Sequence, residues 1–132
     1  MNRLQGPGLL IGRILLAVIF ILSGFGKIMG FERTAGYMTA VGIPMADVLL
    51  VPTIAIELGG GLLLAVGYKT RWAALALFLF IIPATFFFHA FWSAAPEQAL
   101  NQMINFQKNI AIMGGMLYVY FCGPGRLSVD GG

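Results

Sequence analysis

Charge is the scarcest commodity in this chain. Asp, Glu, Lys and Arg make up 10% of its 132 residues, against about 25% in soluble domains. It has one cysteine, Cys122, and one histidine, His89. A lone cysteine excludes a CxxC pair, an intramolecular disulfide relay and a thiolate cluster for iron and sulfur. A lone histidine excludes a haem-type pair and makes a poor metal site, so no metal is expected. The eight basic residues are scattered rather than clustered, so the basic pI gives no footing for nucleic acid. GFGKIMG, Gly24 to Gly30, is not a phosphate loop, whose lysine would follow a longer glycine-bounded loop after a strand. Gly26 and Gly30 are expected instead to form a small-xxx-small helix contact.

Apolar residues fill the space that charge leaves: 59% of the chain is hydrophobic and its mean hydropathy is +0.89. The expected fold is all-α, a polytopic membrane protein built as an antiparallel four-transmembrane-helix bundle in one domain, residues 1–132. A crossing needs ~20 mostly apolar residues. The first span runs from Gly8 to Met29; its small-x-small tripeptide Gly24-Phe25-Gly26 is a weak cleavage site, so a retained helix is preferred to a signal peptide. Gly30 to Pro44 is too polar and glycine-broken to span and reads as a short interfacial helix between spans one and two. The second span, about Met45 to Gly67, carries Glu57 near its middle and Pro52 as a kink site. Gly67 then suits a helix C-terminus and Thr70 an N-cap, giving a tight return. The third, Trp72 to Trp92, contains Pro83 and His89.

The fourth span is set by INFQKNIAIMGGMLYVYFCG, Ile104 to Gly123. The thirteen uncharged residues from Ile110 to Cys122 are too few to cross, and Gly123-Pro124-Gly125 closes them. The missing length comes from upstream, so the helix runs from Pro96, a good first-turn residue, and Lys108 lies inside it. An even number of spans puts both termini on one side. Counting lysine and arginine, Arg3, Arg13, Lys69, Arg71 and Arg126 fall on that side and Lys27, Arg33 and Lys108 on the other, which favours cytoplasmic termini.

At ~100° per residue, Asn101, Asn105, Lys108 and Asn109 share one stripe, continued by Ile112 and Gly115. A lysine facing lipid would cost about 2.5 to 3.5 kcal/mol, so the stripe is expected to face the bundle interior, with snorkelling of Lys108 as the alternative. Glu57, ~14 Å from either end of its helix, is the strongest candidate. Thr53, Gly60, Gly61 and Leu64 share its face and admit a close neighbour. Lys108 or Lys27 would neutralise it. The pair is either a site or an interhelical strut. His89 is open to proton carriage, to hydrogen bonding with a quinone, or to a plain polar role with Thr85 or Ser93 as local partners. Arg13 ranks below these, as ligand contact or anchor.

Taken together, Arg13, Lys27, IELGGGLLLAVGYKTR with Glu57, Gly60 and Arg71, the histidine closing the third span, FQKNIAIMGG with Lys108 and Asn109, and the terminal GPGRLSVD resemble the DoxX family of bacterial membrane proteins. The resemblance covers nearly all of the chain. It implies a four-helix inner-membrane protein and, through relatives in quinone-reducing complexes, a redox association. The resulting expectation is a subunit of a quinone-linked system, with Glu57 and His89 relaying protons and Lys108, Asn109, Lys27, Asn105 and Arg13 contacting a quinone or similar small molecule. The enzymatic role is open. Lipid, a soluble or membrane redox partner and a homo-oligomer are the expected associations. A carrier or receptor for a small hydrophobic or acidic molecule, and an assembly factor, are the competing readings.

Overall fold

Hydrophobic runs punctuated by glycine and proline set the element boundaries. The computed structural model describes residues 5–89 and 91–131; Arg3 lies outside them. Among the described residues every regular element is helical. α1 is Gln5–Met29, α2 Phe31–Ala40, α3 Ala46–Ile54, α4 Gly60–Val66, α5 Thr70–Phe88 and α6 Pro96–Cys122, with a 3₁₀ turn at Phe91–Ser93. α3 continues through Pro52 and widens into a π-helical turn, Ala55–Gly59, before α4. π turns inside α-helices are uncommon and gather at functional sites; Glu57 is the middle residue of this one.

Three helical stretches are long and apolar enough to cross a membrane: Gln5–Met29, Ala46–Val66 and Thr70–Ser93. α6, expected as the fourth, is 27 residues long but does not join them by composition. Glu97, Asn101, Gln102, Asn105, Gln107, Lys108 and Asn109 all fall in its first half.

α1, α4, α5 and α6 share a core of Ala17, Phe20, Leu64, Ala74, Leu77, Ile81 and Met116. Glycines let the backbones approach, though not at the expected pair. A Cβ at Gly24 would lie 2.9 Å from the backbone nitrogen of Leu58, one at Gly61 3.0 Å from Ile21, and one at Gly115 3.0 Å from Leu16. Gly26 meets nothing within 4 Å and Gly30 meets the side chain of Arg33, so the expected contact through Gly26 and Gly30 is replaced by one through Gly24. α2 is amphipathic and docks Ala35 and Met38 on Ala46 and Leu50 of α3.

The segment after α6 folds back over one end of the helices. Val129 N–H donates to Val66 O (3.1 Å) and Asp130 N–H to Gly67 O (2.8 Å). Gly67 takes φ +74° and Lys69 φ +48°, a left-handed pair that reverses the chain between α4 and α5. Thr70 does not cap α5 with its side chain. It is the first helical residue, and its N–H (2.9 Å) and hydroxyl (2.7 Å) both donate to Asp130 Oδ2, while Lys69 N–H donates to Oδ1 (2.8 Å). The open amides of the helix terminus are thus closed by a carboxylate from sixty residues downstream, where a negative charge also complements the helix dipole. The Thr70 amide and hydroxyl, with help from Lys69, hold the Asp130 carboxyl below the usual carboxylate range.

Candidate functional site

Between α1, the π turn, α5 and α6 lies a cavity of about 440 Å³, within the ~300–1,000 Å³ range of small-molecule sites. One wall is a stripe on α1 at four-residue intervals, Ile19, Ser23 and Lys27, with Phe20 beside it. α5 contributes Phe80, Ile81, Ala84 and Phe88, α6 contributes Gln102, Asn105, Lys108, Asn109 and Ile112, and α2 contributes Tyr37. The lining mixes aliphatic and phenyl side chains with amides, a hydroxyl, a phenol, an imidazole, a carboxylate and two ammonium groups.

Lys27 and Glu57 form an ion pair across the cavity wall, with Glu57 4% and Lys27 21% exposed. Lys27 Nζ also donates to Ser23 Oγ (3.0 Å). Of the two lysines expected to neutralise Glu57, Lys27 does so. Lys108 lines the same cavity, is exposed, and has no hydrogen bond or ion pair among the described residues. Asn109 Nδ2 donates to Thr85 Oγ1 (3.0 Å), whose hydroxyl in turn donates to Ile81 O (2.7 Å).

α5 ends at Phe88, so His89 follows the helix with φ −129° and ψ 43°. Its Nδ1 lies 2.9 Å from Gln102 Oε1, rather than bonding its ring to Thr85. An amide oxygen can only accept, so the ring meets Gln102 Oε1 as a donor through Nδ1, and Nε2 is left without a partner among the described residues. Tyr37 stacks on Phe88 at 5.5 Å; with Gln102, these two residues also line a second cavity of about 410 Å³ rimmed by Phe86, Phe87 and Trp92.

Six of the seven residues nominated from sequence therefore meet: Glu57, His89, Lys108, Asn109, Lys27 and Asn105. Arg13 does not. It is buried at the far end, donating to Pro124 O (2.5 Å), Leu127 O (3.0 Å) and Ala65 O (3.3 Å), and it binds the tail to α1 and α4. Asn101, expected at the head of the α6 stripe, is exposed and does not line the cavity. Gln102 takes that place and was missed, although it lies seven residues before Asn109 and so within ~20° of it around the helix. Tyr37 and Ser23 were missed as well.

Long apolar helices packed around a polar, ion-paired cavity define an integral membrane protein with a site between its helices. The chain belongs to the DoxX family, whose profile matches residues 8–90. It is 38% identical over 130 residues to the inner membrane protein YqjF of Escherichia coli (strain K12), covering 98% of this chain and 95% of that one. Its identity to the inner membrane protein YphA of the same strain is 34% over 122 residues, 92% of this chain and 87% of that one. A more distant likeness, 26% over 129 residues, is to the ER-derived vesicles protein ERV29 of Saccharomyces cerevisiae, of which the match covers 34%. No solved structure matches. With its inner-membrane relatives and three candidate spans, this is a protein of the bacterial inner membrane.

Proposed function

We propose that the protein crosses the inner membrane four times with both termini cytoplasmic, and binds a quinone in its central cavity as the membrane subunit of a quinone-linked redox system. The observation that carries this reading is the cavity itself: six sequence-nominated polar residues converge on one space that apolar side chains of α1, α5 and α6 also line. An isoprenoid or alkyl body fits the apolar side, and a ring bearing carbonyl acceptors fits the donors. Lys108 and Asn105, which have no hydrogen-bond partner among the described residues, and the second N–H of Asn109 polarise a carbonyl. His89, through Nε2, and Glu57 are the groups at the wall able to pass protons. Electrons come from a soluble or membrane partner.

The four-span topology is supported by the end where α1, the α4–α5 turn and the tail meet through Arg13 and Asp130. That end also holds Lys69, Arg71 and Arg126, as the positive-inside rule prefers for cytoplasm. α6, too polar to cross alone, turns Gln102, Asn105 and Asn109 into the cavity, which removes much of the cost of placing that helix in lipid.

Purified protein in nanodiscs is expected to retain a native quinone detectable by mass spectrometry, or to bind an added short-chain ubiquinone saturably. Lys108→Leu should weaken that binding at least tenfold. A folded protein that neither retains nor binds a quinone would turn the reading toward a carrier of other small molecules, or toward an assembly factor if no ligand is held at all.

A further inference from the structure

The charge balance of the cavity says more about its ligand than the cavity's shape does. The chain has five acidic residues, Glu32, Asp47, Glu57, Glu97 and Asp130. Only Glu57 lines the cavity, and Lys27 already holds it. Asp130 is engaged at the other end by Lys69 and Thr70. Two cations, Lys27 and Lys108, thus face one carboxylate, and the neighbours of Lys108 are the neutral amides Asn105 and Asn109. An ammonium in the middle of a helix packed in a bundle needs an opposite charge or water, and Glu57 makes its ion pair with Lys27 and none with Lys108.

We infer that the cavity takes an amphipathic ligand whose polar head bears a single negative charge, placed against Lys108 with the Asn105 and Asn109 amides as neutral donors and the Lys27–Glu57 pair left intact. The chemical class is an enolic, phenolic or carboxylic acid in its ionised form on an apolar body. This rests on the reading of the cavity as a ligand site, and holds whether or not the ligand is a quinone. A second ion pair inside the cavity, between ligand and Lys108, makes charge rather than shape the selective feature. A neutral isostere of the same body would leave the ammonium uncompensated.

The test compares matched probes on the full chain in phosphatidylcholine nanodiscs, with binding to empty nanodiscs subtracted. 2-Hydroxy-1,4-naphthoquinone, an anion at neutral pH, is set against neutral 2-methoxy-1,4-naphthoquinone. Dodecanoate is set against methyl dodecanoate. The anion of at least one pair should bind about tenfold or more tightly than its neutral partner, the scale of one charge-assisted contact. That preference should persist in Lys108→Arg and vanish in Lys108→Gln. Preference in the dodecanoate pair alone supports the anion inference while removing the quinone reading. Equal binding within both pairs, binding of neither, or a preference that survives Lys108→Gln overturns the inference and returns Lys108 to a snorkelling role. If Lys108→Gln fails to fold, the wild-type comparison decides alone. Loss of probe binding on adding phosphatidylglycerol to the nanodiscs supports the inference and identifies a lipid headgroup as the source of the anion.

Discussion

Replacing Glu57 with Gln leaves the Lys27 ammonium facing a neutral amide where Glu57 is 4% exposed. Breaking a buried pair from one side typically costs 3–5 kcal/mol, and because Lys27 keeps some exposure the lower figure, about 3 kcal/mol, is expected. Lys27→Met with Glu57→Leu should restore most of the stability, since both charges leave together. Thermal unfolding of the two variants in detergent, beside a ligand assay, separates a strut from a site. A double variant that is stable and fully competent in binding would show that the pair only holds the helices. A stable double variant that has lost binding would support its place in the site. The sequence narrowed the partner of Glu57 to two lysines and went no further. Helical spacing gives the face a residue occupies, not the azimuth of one helix against another, and that azimuth brings Lys27 to Glu57 and leaves Lys108 apart. The link from His89 to Gln102 was equally hidden, because it depends on where the chain goes after α5 ends.

At the scale of elements, the limits of α6 at Pro96 and Cys122 were legible to the residue, whereas α1 starts at Gln5 rather than Gly8 and α5 runs from Thr70 to Phe88 rather than from Trp72 to Trp92. Proline at a first turn and glycine after a last one act locally. The π turn was not legible, because AIELG has no composition that marks one, and the packing of Leu58 on Gly24 is long-range. Gly24→Ala should force α1 away from that turn and destabilise the fold by about 1–3 kcal/mol, as overpacking does. Gly26→Ala, on the same helix with open space around it, should be neutral or stabilising by up to about 1 kcal/mol from helix propensity. Equal effects of the two in thermal unfolding would contradict the close contact. The tail gives a pH-dependent counterpart. Because the folded carboxyl of Asp130 sits below its ordinary value, its contribution is complete above about pH 4 and is lost as pH falls through the lowered value. Amide exchange in residues 124–131, corrected for intrinsic rates, should be slow at neutral pH and accelerate in acid. Asp130→Asn should exchange faster than wild type at neutral pH, with little further acid response.

On the scale of the molecule, the apolar side chains that look misplaced in water are those that lipid would cover: Ile11, Leu15 and Leu22 on α1 and Tyr118 and Phe121 on α6 are all exposed. Reporters placed near Gly6 and after Asp130 should both report cytoplasm, and a cysteine at Glu97 should react with an impermeant reagent from the opposite face. Opposite sidedness of the two ends would reject four crossings.

Arg13 adds a dimension of time. Its acceptors Pro124 and Leu127 lie 111 and 114 residues further along the chain, so at ~5–20 residues per second of synthesis they follow it by roughly 6 to 23 s. Through that interval the first helix is already made, yet the guanidinium on it lacks the two carbonyls that later hold it. The nascent α1 therefore depends on water, lipid phosphate or the insertion machinery for a shelter that the folded protein supplies to the two terminal guanidinium nitrogens from its own tail, and the earliest helix to be synthesised is among the last to gain its polar partners.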